Sequence, residues 1–242
     1  MTAQPYTLLF ATLSGAHLYG FPSPDSDFDL RGVHCLPFQE LVGLEHGPET
    51  MTTARIVDGL DIDLVTHEAR KFFELMLQRN GYVLEQLFSP IVVQGGPFFD
   101  ELKDIGRTCV TKHHARHYLG FATTQKKLFE KETPRRIKPL LYVYRVLLTG
   151  IHLMKTGVVE ANLEILLRSY PLPQVPELLE RKRNGPEKGT LADSELDQHD
   201  KAYARLYGEL ETLMTTTSLP DRTEARPRMH DLLLRIRAGA RS

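Results

Sequence analysis

The sequence predicts an α+β protein: a small mixed-sheet domain over residues 1–96, followed by an α-helical domain over residues 97–242. Three observations carry this expectation. Up to Gln94, short apolar runs are separated by turn residues, as in strands alternating with helices. From Pro97 onward the β signals fade and long amphipathic periods take over. With 242 residues, 41% hydrophobic and 25% charged, the chain can bury a sizeable core, which excludes disordered, collagen-like and disulfide-scaffold classes.

Strands are expected at Tyr6–Leu13, Phe28–Cys35, Leu60–Thr66 and Ile91–Gln94. Leu36–Ala54, with Pro37, Gly43, Gly47 and Pro48, reads as loop. Thr66 can cap a helix over His67–Arg79, whose Phe72, Phe73, Leu75, Met76 and Leu77 supply a buried side; Asn80-Gly81 stops it. A short helix, Val83–Phe88, then ends at Pro90. In the second half a helix is expected over Thr108–Lys131. Another follows between Pro134 and Gly157, where Leu140, Tyr144, Leu147, Ile151 and Met154 recur at steps of four and three. Further helices are expected at Val159–Ser169, Ser194–Met214 and Arg228–Arg237, with Pro171, Pro173, Pro176 and Asn184-Gly185-Pro186 marking surface connections.

The formal net charge of −1 is a cancellation. Residues 1–100 hold 13 acidic and 5 basic side chains, whereas residues 101–242 hold 18 acidic and 25 basic. Two cysteines, Cys35 and Cys109, form no disulfide framework and suit a reducing cytoplasm as small core residues. The apolar run Tyr6–Leu13 is too short to cross a bilayer and no later one is longer, so no membrane partner is expected.

The chemistry concentrates in Ser14–Gly32, SGAHLYGFPSPDSDFDLRG. Ser14-Gly15 ends a strand with small residues, so backbone N–H groups can approach an anion without an intervening Cβ. Asp27 and Asp29 stand two apart where the next strand begins, and alternation turns both carboxylates to one side. Facing an anion cradle, such a pair makes a hard-oxygen site for Mg²⁺ bridging to a triphosphate. Asp residues beside Pro22 and Pro24 are also ordinary turn formers, so the pair alone is weak. A third acidic group, Asp58, Asp61 and Asp63, clusters around the strand of Leu60, Ile62 and Leu64. A half-exposed strand shows the same alternation.

This run resembles the signature of the DNA polymerase beta-like nucleotidyltransferase superfamily, and more narrowly the predicted nucleotidyltransferases that include RNA-ligase-associated members from RNA repair operons. Asp63 followed by LVTHEARKFF, with Glu68, Arg70, Lys71 and Phe72, is similar to that family's third carboxylate and the helix after it. Asn80 and Glu85 in NGYVLEQLFSP, and Lys138 and Arg145 in KPLLYVYRVLLTG, are similar too. The resemblance covers about Leu13 to Gly157. Where the superfamily's turn has Gly-Ser, this chain has Gly15-Ala16, which leaves either the Ser14 hydroxyl or the backbone amides alone to hold the terminal phosphates.

The resemblance implies in-line transfer of a nucleoside monophosphate from an NTP, ATP among them, to an acceptor hydroxyl, with release of pyrophosphate. Asp27, Asp29 and Asp63 would be the catalytic metal ligands for Mg²⁺, or Mn²⁺ in its place, with Asp63 as the candidate general base. Ser14, Gly15, Ala16, His17, Ser26, Arg31, Lys138 and Arg145 are the candidate nucleotide contacts, and Tyr19 flanks them. By family association the acceptor is a nucleic acid end, RNA before DNA. Alternatives are a non-catalytic NTP-binding or antitoxin-like module, for which Ala16 speaks, and nucleotidylation of a protein or small molecule.

The helical half carries a basic run, Lys126, Lys127, Lys131, Arg135, Arg136, Lys138 and Arg145, near Tyr118 and Gln125. Lys138 and Arg145 lie two turns apart on one face and could meet a triphosphate together, while much of the run reads as a solvated helix face. His113, His114 and His117 lack a third ligand and a catalytic Glu, so a zinc site is not expected. Gly95-Gly96 lacks the Lys-Ser/Thr of a P-loop.

Overall fold

A computed structural model describes residues 5–184 and 189–239. In chain order the elements are β1 (Thr7–Leu13), α1 (Gly15–Tyr19), β2 (Phe28–Cys35), α2 (Phe38–Val42), β3 (Thr50–Val57), β4 (Leu60–Glu68), α3 (Ala69–Leu77), α4 (Gly81–Leu87) and β5 (Val92–Gly95). Then follow α5 (Phe99–Cys109), α6 (His114–Lys131), α7 (Ile137–Thr156), α8 (Leu163–Ser169), α9 (Val175–Asn184), a 3₁₀ turn at Asp193–Glu195, α10 (Leu196–Thr216) and α11 (Arg226–Gly239). The architecture is α+β, a five-stranded mixed sheet followed by a helical region.

The chain forms two compact units: Met1–Gly15, Asp27–Val110 and Arg222–Ser242 in the first, Ala16–Ser26 and Thr111–Asp221 in the second. The expected cut at residue 96 divides the composition but does not coincide with these units. α5 and α11 go with the sheet, and the segment between β1 and β2 goes with the helices. The reason is packing: α5 and α11 are amphipathic, and both lay an apolar face against α3.

In the first unit the strand order is β3-β4-β2-β1-β5. β2 pairs parallel with β4, and the other pairs are antiparallel. Phe10, fully buried, meets Phe72 of α3 edge-on at 5.5 Å and Phe99 of α5 at 4.9 Å, fixing where the core lies.

Five local expectations are corrected. Leu36–Ala54 is not all loop: it holds α2 and most of β3, an edge strand whose Thr50, Thr52 and Thr53 favour extended backbone although none of its residues is buried. Thr66 is not a cap, because β4 continues to Glu68, whose carboxylate accepts from Arg70 N–H at 2.8 Å and starts α3. Asn80 opens a helix as well as following one, accepting from Tyr82 N–H at 3.0 Å to cap α4. Val175-Pro176 begins α9 instead of a connection, since proline is tolerated in a first turn. The helix expected over Thr108–Lys131 is α6, which starts later, at His114, because a separate and unexpected helix, α5, runs to Cys109. Of the expected turn Asn184-Gly185-Pro186, Gly185 and Pro186 lie outside the described residues.

In the second unit α7 is the central element. Fifteen of its residues are buried, among them Leu140, Tyr144, Leu147, Ile151 and Met154, and it packs against α6, α8, α9 and α10. Gly157, left-handed at φ +72°, closes it as the sequence suggests.

Candidate active site

Within the first unit, the parallel register of β2 and β4 sets Asp29 opposite Asp63. Two carboxylates on neighbouring strands repel unless a cation stands by them. Arg31, two residues along β2 and therefore on the same face as Asp29, supplies it. Its Nη2 lies 2.6 Å from Asp29 Oδ1 and 3.5 Å from Asp63 Oδ2. Nη1 donates to the Leu30 carbonyl at 2.8 Å and the Asp63 carbonyl at 3.0 Å, and Nε donates to Tyr82 Oη at 3.0 Å.

Ser14 and Gly15 bring the end of β1 onto this pair. Ser14 N–H donates to the Asp29 carbonyl at 2.7 Å. Gly15 has φ +62°, and a Cβ placed on it would fall 1.8 Å from Asp29 Oδ2. Glycine is therefore required twice, by its left-handed backbone and by the carboxylate on its open side. Ser14 is fully buried, and its Oγ has no hydrogen-bond partner among the described residues. Burial pushes the Asp29 carboxyl above the usual carboxylate range, opposed by Arg31 and assisted by the charges of Asp27 and Asp63.

Among the described residues, no group of three His, Cys, Asp or Glu side chains stands ready to hold a metal ion. The donor chemistry nevertheless fits a hard divalent cation. All the candidate ligands are oxygens, the Asp29 carboxylate lies in the place that a Cβ on Gly15 would take, and the buried Ser14 hydroxyl is unpartnered among the described residues. Asp27, just before β2, is close enough for its charge to act on Asp29.

The second unit holds Ala16, His17, Ser26, Lys138 and Arg145. Ala16 and His17 lie in α1. Arg145 is buried, its guanidinium 4.0 Å above the ring of Tyr19, with Phe121 and Tyr142 at 5.9 Å. Tyr142 in turn meets Tyr19 and Phe21 edge-on, each at 5.5 Å. Ser26 Oγ accepts from Ser23 N–H at 2.9 Å and lies 3.0 Å from Ser23 Oγ. The buried Lys182 of α9 donates to Ser23 Oγ at 2.8 Å. The nearby carboxyl of Asp25 is lowered, first by its hydrogen bond with Ser23 and further by the charges of Lys182 and Lys138.

Sequence reasoning therefore missed Tyr82, Ser23 and Lys182. Tyr82 carried a signal, standing inside NGYVLEQLFSP. Lys182 sits in Arg181-Lys182-Arg183, which the adjacent prolines disguised as surface connection. The family-like Glu68 proves structural, capping α3 and pairing with Arg237 of α11, while Arg70 pairs with Glu74 on the surface. His114 is buried and bonded to Thr111, and Cys35 and Cys109 are buried free thiols. No helix among the described residues is long and apolar enough to cross a membrane.

Comparison with known proteins agrees with the motif. Residues 1–235 match the model of the RlaP family, the RNA repair pathway DNA polymerase beta family. The chain is 32% identical over 151 residues to the uncharacterized protein MJ0002 of Methanocaldococcus jannaschii, covering 62% of this chain and 61% of that protein. It is 30% identical over 190 residues to the uncharacterized protein YcgL of Bacillus subtilis, covering 74% of this chain and 71% of that one. Among solved structures, a nucleotidyltransferase-like protein from Exiguobacterium sibiricum aligns with TM-score 0.32 and 13% identity over 88% of this chain and 70% of its own. The chain belongs to the RNA repair pathway DNA polymerase beta family.

Proposed function

We propose that this protein is a metal-dependent nucleotidyltransferase that moves a nucleoside monophosphate from an NTP to an acceptor hydroxyl, with an RNA end as the acceptor. The observation that carries the reading is the registered pair Asp29 and Asp63 beside the Gly15 turn, where a Cβ would fall 1.8 Å from Asp29 Oδ2. Asp27, Asp29 and Asp63 would hold Mg²⁺, or Mn²⁺ in its place. When bound, such an ion neutralises triphosphate charge and makes the attacking hydroxyl more acidic.

The chain's own residues have definable parts in this reaction. The Ser14-Gly15 turn admits phosphate oxygens without a side chain in the way, and Ser14 Oγ is a donor in need of an acceptor. Asp63 is the carboxylate offered as general base, its side chain the more open of the pair at 32% against 20% for Asp29. RNA is favoured as acceptor by the family's membership of an RNA repair pathway.

Incubation of the protein with Mg²⁺, each α-labelled NTP in turn, and RNA ends should label the acceptor, and Asp29→Ala should abolish labelling. Undiminished transfer by that variant would remove Asp29 from the machinery. A second reading, an NTP-binding module without turnover, is favoured by Ala16 in the phosphate turn and by carboxylates already engaged with Arg31. Calorimetric binding of a non-hydrolysable NTP, without product under broad acceptor screening by mass spectrometry, selects it.

A further inference from the structure

Arg31 was expected among the nucleotide contacts, but its surroundings assign it differently. All three of its nitrogens already face acceptors: Tyr82 Oη, two backbone carbonyls, and one oxygen from each of Asp29 and Asp63. A guanidinium has five donors in a rigid fork, and this one directs them at its own sheet and at Tyr82 of α4. Only 12% of its side chain is exposed, so reaching a phosphate would mean breaking contacts that bury a charge.

The pairing is also selective by atom. Asp29 gives Oδ1 to Arg31, while Oδ2 lies against the open side of Gly15. Asp63 likewise gives Oδ2 and its carbonyl. The guanidinium thus takes one oxygen from each carboxylate and leaves the other outside the pairing. Tyr82 completes the arrangement: Asn80 caps α4 through the Tyr82 N–H, and the Tyr82 hydroxyl receives Arg31 Nε. The NGYVLEQ stretch, remote in sequence from the acidic motif, therefore serves to aim Arg31.

We infer that Arg31 is a built-in counter-cation and positioning residue: it holds the inner oxygens of Asp29 and Asp63, weakens divalent-ion binding to the nucleotide-free protein, and is not a phosphate ligand. This rests on the proposed reading for its metal, but its test does not depend on turnover. Removing one positive charge beside a cation site strengthens cation binding, because the remaining carboxylates attract the ion unopposed. Lysine keeps the charge and loses the fork, so charge and geometry separate.

The experiment is Mn²⁺ titration of the full chain without nucleotide, followed by calorimetry and by the spin-resonance signal of free Mn²⁺. Arg31→Gln should bind Mn²⁺ about tenfold tighter than wild type at moderate salt, and Arg31→Lys, which keeps the charge, should tighten it by no more than about threefold. Tyr82→Phe frees one arm of the guanidinium without changing charge; it should tighten binding by about two- to threefold, and it remains readable if Arg31→Gln does not fold. Metal-free ATP affinity, measured with chelator present, should be the same in wild type and Arg31→Gln. Mn²⁺ affinity that is unchanged, weaker or absent in both Arg31→Gln and Tyr82→Phe overturns the inference, as does loss of metal-free ATP binding in Arg31→Gln alone. Tightened Mn²⁺ binding with no nucleotidyl transfer by wild type would leave Arg31's role standing and remove the proposed reaction.

Discussion

Gly15→Ala probes the point where backbone and carboxylate meet, and Gly59→Ala provides its internal control. Both glycines are left-handed, at φ +62° and +81°, so alanine at either pays the same backbone strain, about 1–2 kcal/mol. Nothing lies within 4 Å of a Cβ on Gly59. On Gly15 the added Cβ falls 1.8 Å from Asp29 Oδ2 and 2.6 Å from its carboxyl carbon. The flexible carboxylate must rotate away, and in doing so it gives up the 2.6 Å bond to Arg31. A charge-assisted bond at a mostly buried position is worth about 1.5–3 kcal/mol. Gly15→Ala should therefore lose about 2 kcal/mol more than Gly59→Ala, which for a chain of this length is about 4–8 °C in melting midpoint. Thermal melts of the two variants, with nucleotidyl transfer measured alongside, provide the assay: Gly59→Ala should keep transfer and Gly15→Ala should lose it. Equal melting midpoints for the two variants would refute the close approach of Asp29 to Gly15.

Further outcomes follow from other parts of the structure. Burial is the leading cause lowering His34, His67, His117, His152 and His199 from 6.5, so each folds preferentially as the neutral form. Their stabilisation is present above the unfolded value and is lost as pH falls through 6.5 toward the depressed folded values; melting midpoints should drop between pH 7.5 and 5, and a flat or rising profile would contradict this. Asn80→Ala removes the cap of α4 and should cost about 1 kcal/mol by urea denaturation, against no loss if the cap is idle. Phe10→Ala empties the aromatic centre between α3 and α5 and should cost about 3–5 kcal/mol, a value near zero being incompatible with the packing seen.

The acidic motif was legible in sequence because its information is local. Alternation along β2 sets the side to which Asp29 points, with Asp27 just before the strand, and a small-residue turn decides what can approach Asp29. Asp63 was legible only with the resemblance beside it, since its partnership with Asp29 depends on a parallel register set across 33 residues of intervening chain. Arg31 was visible as a charge, but its task was not, because three of its contacts are with Asp63 of β4 and Tyr82 of α4. The edge strand β3 was hidden for the opposite reason: it buries little, so the alternation that reveals half-buried strands is faint there. The cap at Glu68 was misplaced by two residues because Thr and Glu both cap helices, and only the ladder with β2 shows how far β4 runs.

The charge division within the chain takes on a narrower meaning once the pairings are known. Of the basic run in the helical half, Lys126 is buried between Glu130 and Asp200 at 2.6 and 2.8 Å, Arg136 pairs with Glu132, and Arg145 lies buried over Tyr19. Arg136 is half-exposed, but Lys126 and Arg145 are buried, and a buried cation cannot also release counterions from an RNA backbone without leaving its partners. Lys127 and Lys131 are exposed, while Arg135, half-buried, lies 5.7 Å over Phe129. The positive excess of residues 101–242 thus overstates the surface available to phosphate, just as the acidic excess of residues 1–100 overstates the charge a metal would meet once Arg31 has engaged Asp29 and Asp63. In both halves the sequence counts charges and the fold decides which of them are engaged, so the proposed recognition of a triphosphate or an RNA end rests on the few groups outside these pairings, the buried Ser14 Oγ and the second oxygens of Asp29 and Asp63 foremost.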